Sequence, residues 1–125
     1  MATWDDVDRI AAVLPDTAAD GRTWRVHGVL FVWERPLRAR DHDELGDAAP
    51  DEPPVAFRVA DEGEKLALVG DDPATFFTTA HFDGYPIVLG RLDLIEVPEL
   101  EELVQDAWLA RAPRRLAKEY LARSE

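Results

Sequence analysis

Two neighbouring runs of β-forming residues set the tightest limit on how this chain folds. Thr23-Trp24-Arg25-Val26-His27 alternates in polarity as a half-buried strand does, and Val29 to Trp33 is all branched, leucine or aromatic. Only Gly28 stands between them, and His27-Gly28 suits a tight turn. Runs this short and this close pair with each other, so the sequence predicts an antiparallel hairpin. Trp24, Val26, Phe31 and Trp33 then divide between its faces, with Phe31 and one of the two tryptophans expected in the core.

A hairpin needs apolar surface from elsewhere to cover it, and the two ends of the chain supply it. Thr3 is an N-cap residue type with Asp6 at near capping-box spacing, and Asp5 and Asp6 suit the positive end of a helix dipole. Trp4, Val7, Ile10, Ala11 and Leu14 follow at helical spacing, and Pro15 ends the helix. Pro98 begins a second helix reaching about Ala110, with Leu100, Leu103, Val104, Ala107 and Trp108 as its stripe. Ala112-Pro113 breaks it, and a last helix runs to about Ala122 with Leu116, Tyr120 and Leu121 as apolar positions.

Between these landmarks, residues 16–22 read as a polar loop and residues 36–53 as a surface excursion with a helical turn at Asp41–Leu45. Val55 to Val59 makes a third strand. Asp61 caps a helix from Glu62 to about Val69, with Leu66 and Val69 facing inward. Pro73 to Phe76 is a short helical turn, Phe77 to Phe82 is ambiguous, Asp83-Gly84 is a turn, and Tyr85 to Leu92 is a strand. The order predicts an α+β domain over residues 1–125, an antiparallel sheet with helices packed on one face.

Composition narrows the chemistry. With no cysteine, disulfides and thiolate catalysis are excluded. Ser124 is the only serine, so a hydroxyl nucleophile paired with a histidine base has no foundation. Neither phosphate-cradling glycine pattern occurs. The expectation is a protein that is not an enzyme and needs no cofactor. His81 near Asp83 suggests acid–base work, but a structural histidine beside a turn is the preferred reading. Asp41, His42, Asp43 and Glu44 are donor types for a metal, yet they are adjacent in one segment, and a solvated loop without metal is expected. Asp5, Asp6 and Asp8 stand where a secretory signal needs a basic end and an apolar run, and no apolar run is long enough to span a bilayer. A cytoplasmic location without membrane contact is expected.

The net charge of −12 opposes a general affinity for polyanions. The cations are nevertheless concentrated. Arg22, Arg25, Arg35, Arg38 and Arg40 form one block, and Arg111, Arg114, Arg115, Lys118 and Arg123 another. The first interleaves with Trp24, Phe31 and Trp33, a combination used on nucleic-acid contact surfaces.

Several stretches carry a resemblance. They are Leu14-Pro15, the hairpin Trp24-Arg25-Val26-His27-Gly28-Val29-Leu30-Phe31, the run from Phe76 to Pro86 (FFTTAHFDGYP), and the helical end from Glu99 to Leu116 with Ala107-Trp108. In this order and over nearly the whole chain, the sequence resembles the MmcQ/YjbR family. The resemblance implies a CyaY-like fold, also described as a double-wing arrangement, and on that basis DNA binding. One position departs: Val29 stands where the family's hairpin commonly has a lysine. A CyaY-like fold also suggests iron held by an acidic first helix, but Asp5, Asp6 and Asp8 are better read as dipole partners. Two expectations follow. The first is a DNA-binding module using Arg22, Arg25, Arg35, Arg38, Arg111, Arg114 and Arg115. The second, favoured by net charge, is a small-ligand- or protein-binding domain whose pocket gathers Trp33, Arg35, Arg58, His81, Tyr85 and Trp108.

Overall fold

The computed structural model describes residues 1–124, with side chains through Arg123; the lone serine's side chain lies outside the described residues. The first helix, α1 (Trp4–Ala12), starts as its sequence requires. The Thr3 hydroxyl accepts from the Asp6 N–H at 3.2 Å while Asp6 accepts the Thr3 N–H at 2.9 Å, closing a capping box. Its buried stripe is Val7, Ile10 and Ala11.

Residues 16–22 are not simply a loop. They include an edge strand, β1 (Thr17–Ala19), antiparallel to β2 (Thr23–Val26) with Thr17 opposite Val26. Thr-Ala-Ala is half-buried to exposed, so pairing comes from the backbone and leaves no side-chain pattern to read. β2 turns through His27 and Gly28, both at positive φ (51° and 77°), into β3 (Val29–Glu34). That is the mirror-image turn whose twist suits a hairpin. A bulge follows: Trp24 faces Val32 but Arg25 faces Leu30, so Phe31 and Val32 are both buried in the same core.

The remaining elements are α2 (Ala39–Leu45), β4 (Val55–Arg58), α3 (Glu62–Asp71), β5 (Phe76–Phe77), β6 (Ile87–Gly90), α4 (Val97–Arg111) and α5 (Arg114–Ser124), with 3₁₀ turns at Gly46–Ala48, Ala80–Phe82 and Leu92–Leu94. The strands form one sheet in the order β1-β2-β3-β4-β6-β5, every neighbouring pair antiparallel. Several sequence-based expectations need correcting, among them the helical turn expected over Pro73 to Phe76, since Phe76 begins β5. β6 is shorter than Tyr85 to Leu92, because Pro86 has no N–H for the ladder and the chain leaves the sheet after Gly90. Leu66 is 60% exposed, and α3 instead buries Lys65 and packs Leu68 and Val69 inward. Leu121 is 45% exposed, while Leu116, Ala117 and Tyr120 carry the contact of α5. Residues 36–53 are more ordered than an excursion, as described next.

The main core covers one face of the sheet. Val7, Trp24, Phe31, Phe57, Val88, Leu100, Val104 and Trp108 meet there, so α1 and α4 back β2, β3, β4 and β6. Removing one such aromatic costs about 3–5 kcal/mol. The second face carries a cross-strand row, Trp33–Ala56–Leu89–Phe77, one residue from each of β3, β4, β6 and β5. Leu37, Leu45 and Phe82 pack on this row, so the 36–53 segment is a strap over half of the second face. The other half carries Arg25, Leu30 and Arg58, with Ile87 at its border packed against the strapped row, each partly exposed. Among the described residues no helix is long and apolar enough to cross a membrane.

Candidate nucleic-acid interface

The first arginine block does not act as one. Arg22 donates to Glu34 at 2.6 Å, and its guanidinium lies 5.0 Å from the Trp4 ring. Trp4 in turn stacks on Trp24 at 6.2 Å. Arg35 is 8% exposed, donating to the Pro36 carbonyl and at 3.3 Å to Asp41, with Phe82 beneath it at 5.4 Å. Burial pushes the Asp41 carboxyl upward, but the Arg38 N–H at 2.9 Å and the Arg35 charge outweigh it and hold the group below its ordinary range. Arg35 therefore fixes the strap and is not available to an anion. Arg38 gives its backbone N–H to the same carboxylate and keeps an exposed side chain.

The second block comes to the hairpin-turn end of the molecule. Trp108 Nε1 donates to the Pro15 carbonyl at 3.0 Å, and the next residue, Asp16, accepts the His27 N–H at 3.3 Å. The end of α4 therefore stands beside the His27-Gly28 turn, and Arg111, Arg114 and Arg115 follow there. Because β4 runs antiparallel to β3 from Val55 opposite Glu34, it delivers Arg58 to the same end. Alternation places Arg58 on the second face with Ala56, where Arg25 also lies. Burial lowers the Arg58 guanidinium pKa, and the nearby Arg111 charge lowers it further. Arg111 Nε is buried and has no hydrogen-bond partner among the described residues. Arg115 makes a loose 3.6 Å pair with Glu119.

The seven arginines expected at a DNA surface thus divide. Arg25, Arg111, Arg114 and Arg115 share one end; Arg22, Arg35 and Arg38 lie toward the other, Arg22 about 10 Å from Arg25 along β2. Arg58 joins the first group. The signal that would have found it is the two-residue period of β4, but using that signal requires the strand register.

The residues expected to line a ligand pocket do not meet. Trp108 is wholly buried in the main core, so the sheet separates it from Trp33 in the second-face row. His81 is exposed, with its ring edge-on to Phe82 at 4.8 Å, and Tyr85 is 58% exposed at the rim. A cleft of about 600 Å³ lies elsewhere, between Met1–Trp4, Pro50–Pro54 and Arg91–Leu94, and none of the six lines it. The acidic donors are also separately engaged. Asp41 serves Arg35 and Arg38, Glu44 accepts the Ala80 N–H at 3.1 Å, Asp8 accepts from Trp24 Nε1 at 3.0 Å, and Asp6 completes the α1 cap. Among the described residues no group of three or more such side chains is placed to hold a metal ion.

Carboxylates gather on the flank where α3 runs beside α4. Burial raises the Glu99 carboxyl, and Asp72, Glu102 and Glu96 raise it further; burial likewise raises Asp106, with Glu102 and Glu64 adding to it. A carboxylate also stands at the hairpin turn, where Asp16 meets His27 at 3.0 Å, and Arg9 and Arg22 pair with Asp6 and Glu34 elsewhere. Sequence reasoning missed one further buried cation: Lys65, 2% exposed, whose Nζ donates to the carbonyls of Phe82 at 2.6 Å and Tyr85 at 2.9 Å.

An antiparallel sheet backed by terminal helices and strapped on its second face defines an α+β protein of the YjbR-like type. The chain belongs to the YjbR family, whose model matches residues 10–110. It is 52% identical over 128 residues to Uncharacterized protein Rv2570 of Mycobacterium tuberculosis and, equally, to Uncharacterized protein Mb2600 of Mycobacterium bovis, each match covering 99% of both chains. Its fold is similar to that of the crystal structure of Deinococcus radiodurans protein DR2400, with its DUF419 domain. The TM-score is 0.62 at 18% identity, covering 87% of this chain and 78% of that one.

Proposed function

We propose that this protein works by binding rather than by catalysis, and that its partner is DNA, held at the hairpin-turn end. One observation carries the reading: Arg25, Arg58, Arg111 and Arg114 come to this end without a carboxylate partner among the described residues, while acids collect on the α3–α4 flank. A cluster of this kind lets a protein of net charge −12 present a local positive field. The resemblance drawn from the sequence points the same way, and DNA binding places the protein in the cytoplasm. Four phosphate contacts to duplex DNA give a log–log salt slope of about −3.6, so affinity should fall ~100-fold between 50 and 200 mM salt. Fluorescence anisotropy with a labelled oligonucleotide measures this. No binding at 25 mM salt, or binding indifferent to salt, refutes it.

A second reading has its own support. The 600 Å³ cleft is within the size range of small-molecule sites, and Trp4, Leu92, Leu94 and three prolines line it. A metabolite that raises the melting temperature, with the gain lost in Leu94→Glu, would favour this reading.

A further inference from the structure

The half of the second face that the strap leaves open has a definite chemistry. Arg25 on β2 pairs directly with Leu30 on β3, and Arg58 lies across β3 on β4, itself paired with Ile87. Two strand spacings put these arginine backbones about 10 Å apart. Across the four strands the row therefore runs Arg25, Leu30, Arg58, Ile87, with apolar side chains alternating with cations. Two aromatic residues stand at its borders. Trp33, half-buried, faces Thr23 where the open half meets the strap, and Tyr85 precedes Ile87 with 58% of its surface exposed.

From this layout we infer that the open sheet face binds single-stranded nucleic acid, with bases lying on Leu30 and Ile87 and phosphates drawn to Arg25 and Arg58, which alternate with them. The inference rests on the DNA reading and narrows it to one form of the ligand. Charge complementarity selects an anion, and the apolar side chains set between the cations select one that also carries apolar faces. A duplex hides those faces by stacking them on each other, and its major groove, about 12 Å wide, admits a helix or a two-stranded ribbon. A sheet four strands wide at this point, bordered by the strap, does not enter it. A single strand turns its bases outward and lays them on such a platform.

The test uses the full chain with labelled dT20, a labelled 20-base-pair duplex and heparin, by anisotropy at 50 mM salt. The expected result is at least tenfold tighter binding of dT20 than of the duplex. In Arg25→Gln/Arg58→Gln, dT20 affinity should fall at least tenfold while Arg9→Gln, on α1, changes nothing. Far-UV circular dichroism of both variants shows whether they remain folded. Tyr85→Ala, which removes an exposed ring and keeps the backbone carbonyl that accepts from Lys65, should weaken dT20 several-fold and leave heparin binding unchanged. Equal or tighter binding of duplex overturns the single-strand inference and leaves the DNA reading standing. Equal loss of heparin and dT20 binding in Tyr85→Ala also overturns it, because bases would then play no part. Failure to bind either oligonucleotide overturns both.

Discussion

Replacing Lys65 tests how a buried ammonium with no carboxylate partner among the described residues is tolerated. Its Nζ reaches two carbonyls, Phe82 at 2.6 Å and Tyr85 at 2.9 Å, and so ties α3 to the turn that precedes β6. Hydrogen bonds to a charged donor are worth about 1.5–3 kcal/mol each, while taking an ammonium out of water costs several kcal/mol. Both carbonyls also have backbone donors: Tyr85 N–H to Phe82 at 3.0 Å and Ile87 N–H to Tyr85 at 2.8 Å. Losing the lysine therefore leaves neither acceptor bare. Lys65→Met keeps most of the buried volume and should destabilise by about 1–2 kcal/mol, less than the ~3 kcal/mol minimum for two such bonds because the ammonium's desolvation cost is relieved. Lys65→Ala adds a cavity and should cost about 2–5 kcal/mol. Urea denaturation followed by tryptophan fluorescence, with unchanged m-values, gives both numbers. Exchange of the Gly84 amide, which donates to Glu62 at 3.1 Å, should quicken in both variants as the turn loosens. A Lys65→Met protein at least as stable as the parent would refute the reasoning, since the ammonium would then cost more than its two bonds return.

Two further outcomes follow from the electrostatics. The Asp41 carboxyl titrates below its unfolded value, so its contribution is present at neutral pH and is lost as pH falls from about 4 through the folded pKa. Asp41→Asn should cost about 3 kcal/mol at pH 7 by stranding the buried Arg35, and the gap to the parent in denaturation free energy should narrow below about pH 4; a gap constant with pH counts against the pair. Glu99 and Asp106 titrate above their unfolded values, so their charged forms oppose folding at neutral pH and the penalty is relieved as pH falls through those folded pKa values. Glu99→Gln/Asp106→Asn should therefore stabilise by about 0.5–1 kcal/mol at pH 7, with no gain left once both carboxyls are protonated. A thermal melt lowered by the double change would contradict this.

The hairpin and α4 could be read from sequence because each satisfies a local period with its own side chains. Trp24 and Val26 alternate into the core, and Leu100, Leu103, Val104, Ala107 and Trp108 recur at helical spacing and are all buried. β1 could not be read, since three small residues are recruited by backbone pairing. The strap could not either. Leu37 and Leu45 are ordinary loop leucines until the Trp33–Ala56–Leu89–Phe77 row exists, and that row is a product of register. In α3 the sequence offers Leu66 and Lys65 side by side, and the two carbonyls near Phe82 reverse the usual choice. The interface was half visible for the same reason. Arg22, just before β2, is close along the chain to Arg25 but is taken up by Glu34, whereas Arg58 and Arg111 meet only through the fold.

The sheet tapers. Its innermost strand β3 has six residues, but its borders β1 and β5 have three and two. A border strand that short offers few unsatisfied amide and carbonyl groups, and β1 has Asp16 before it and Asp20 after it. Little backbone is left along either margin for a second chain to zip onto, so the lateral growth that leads to fibrils has no foothold.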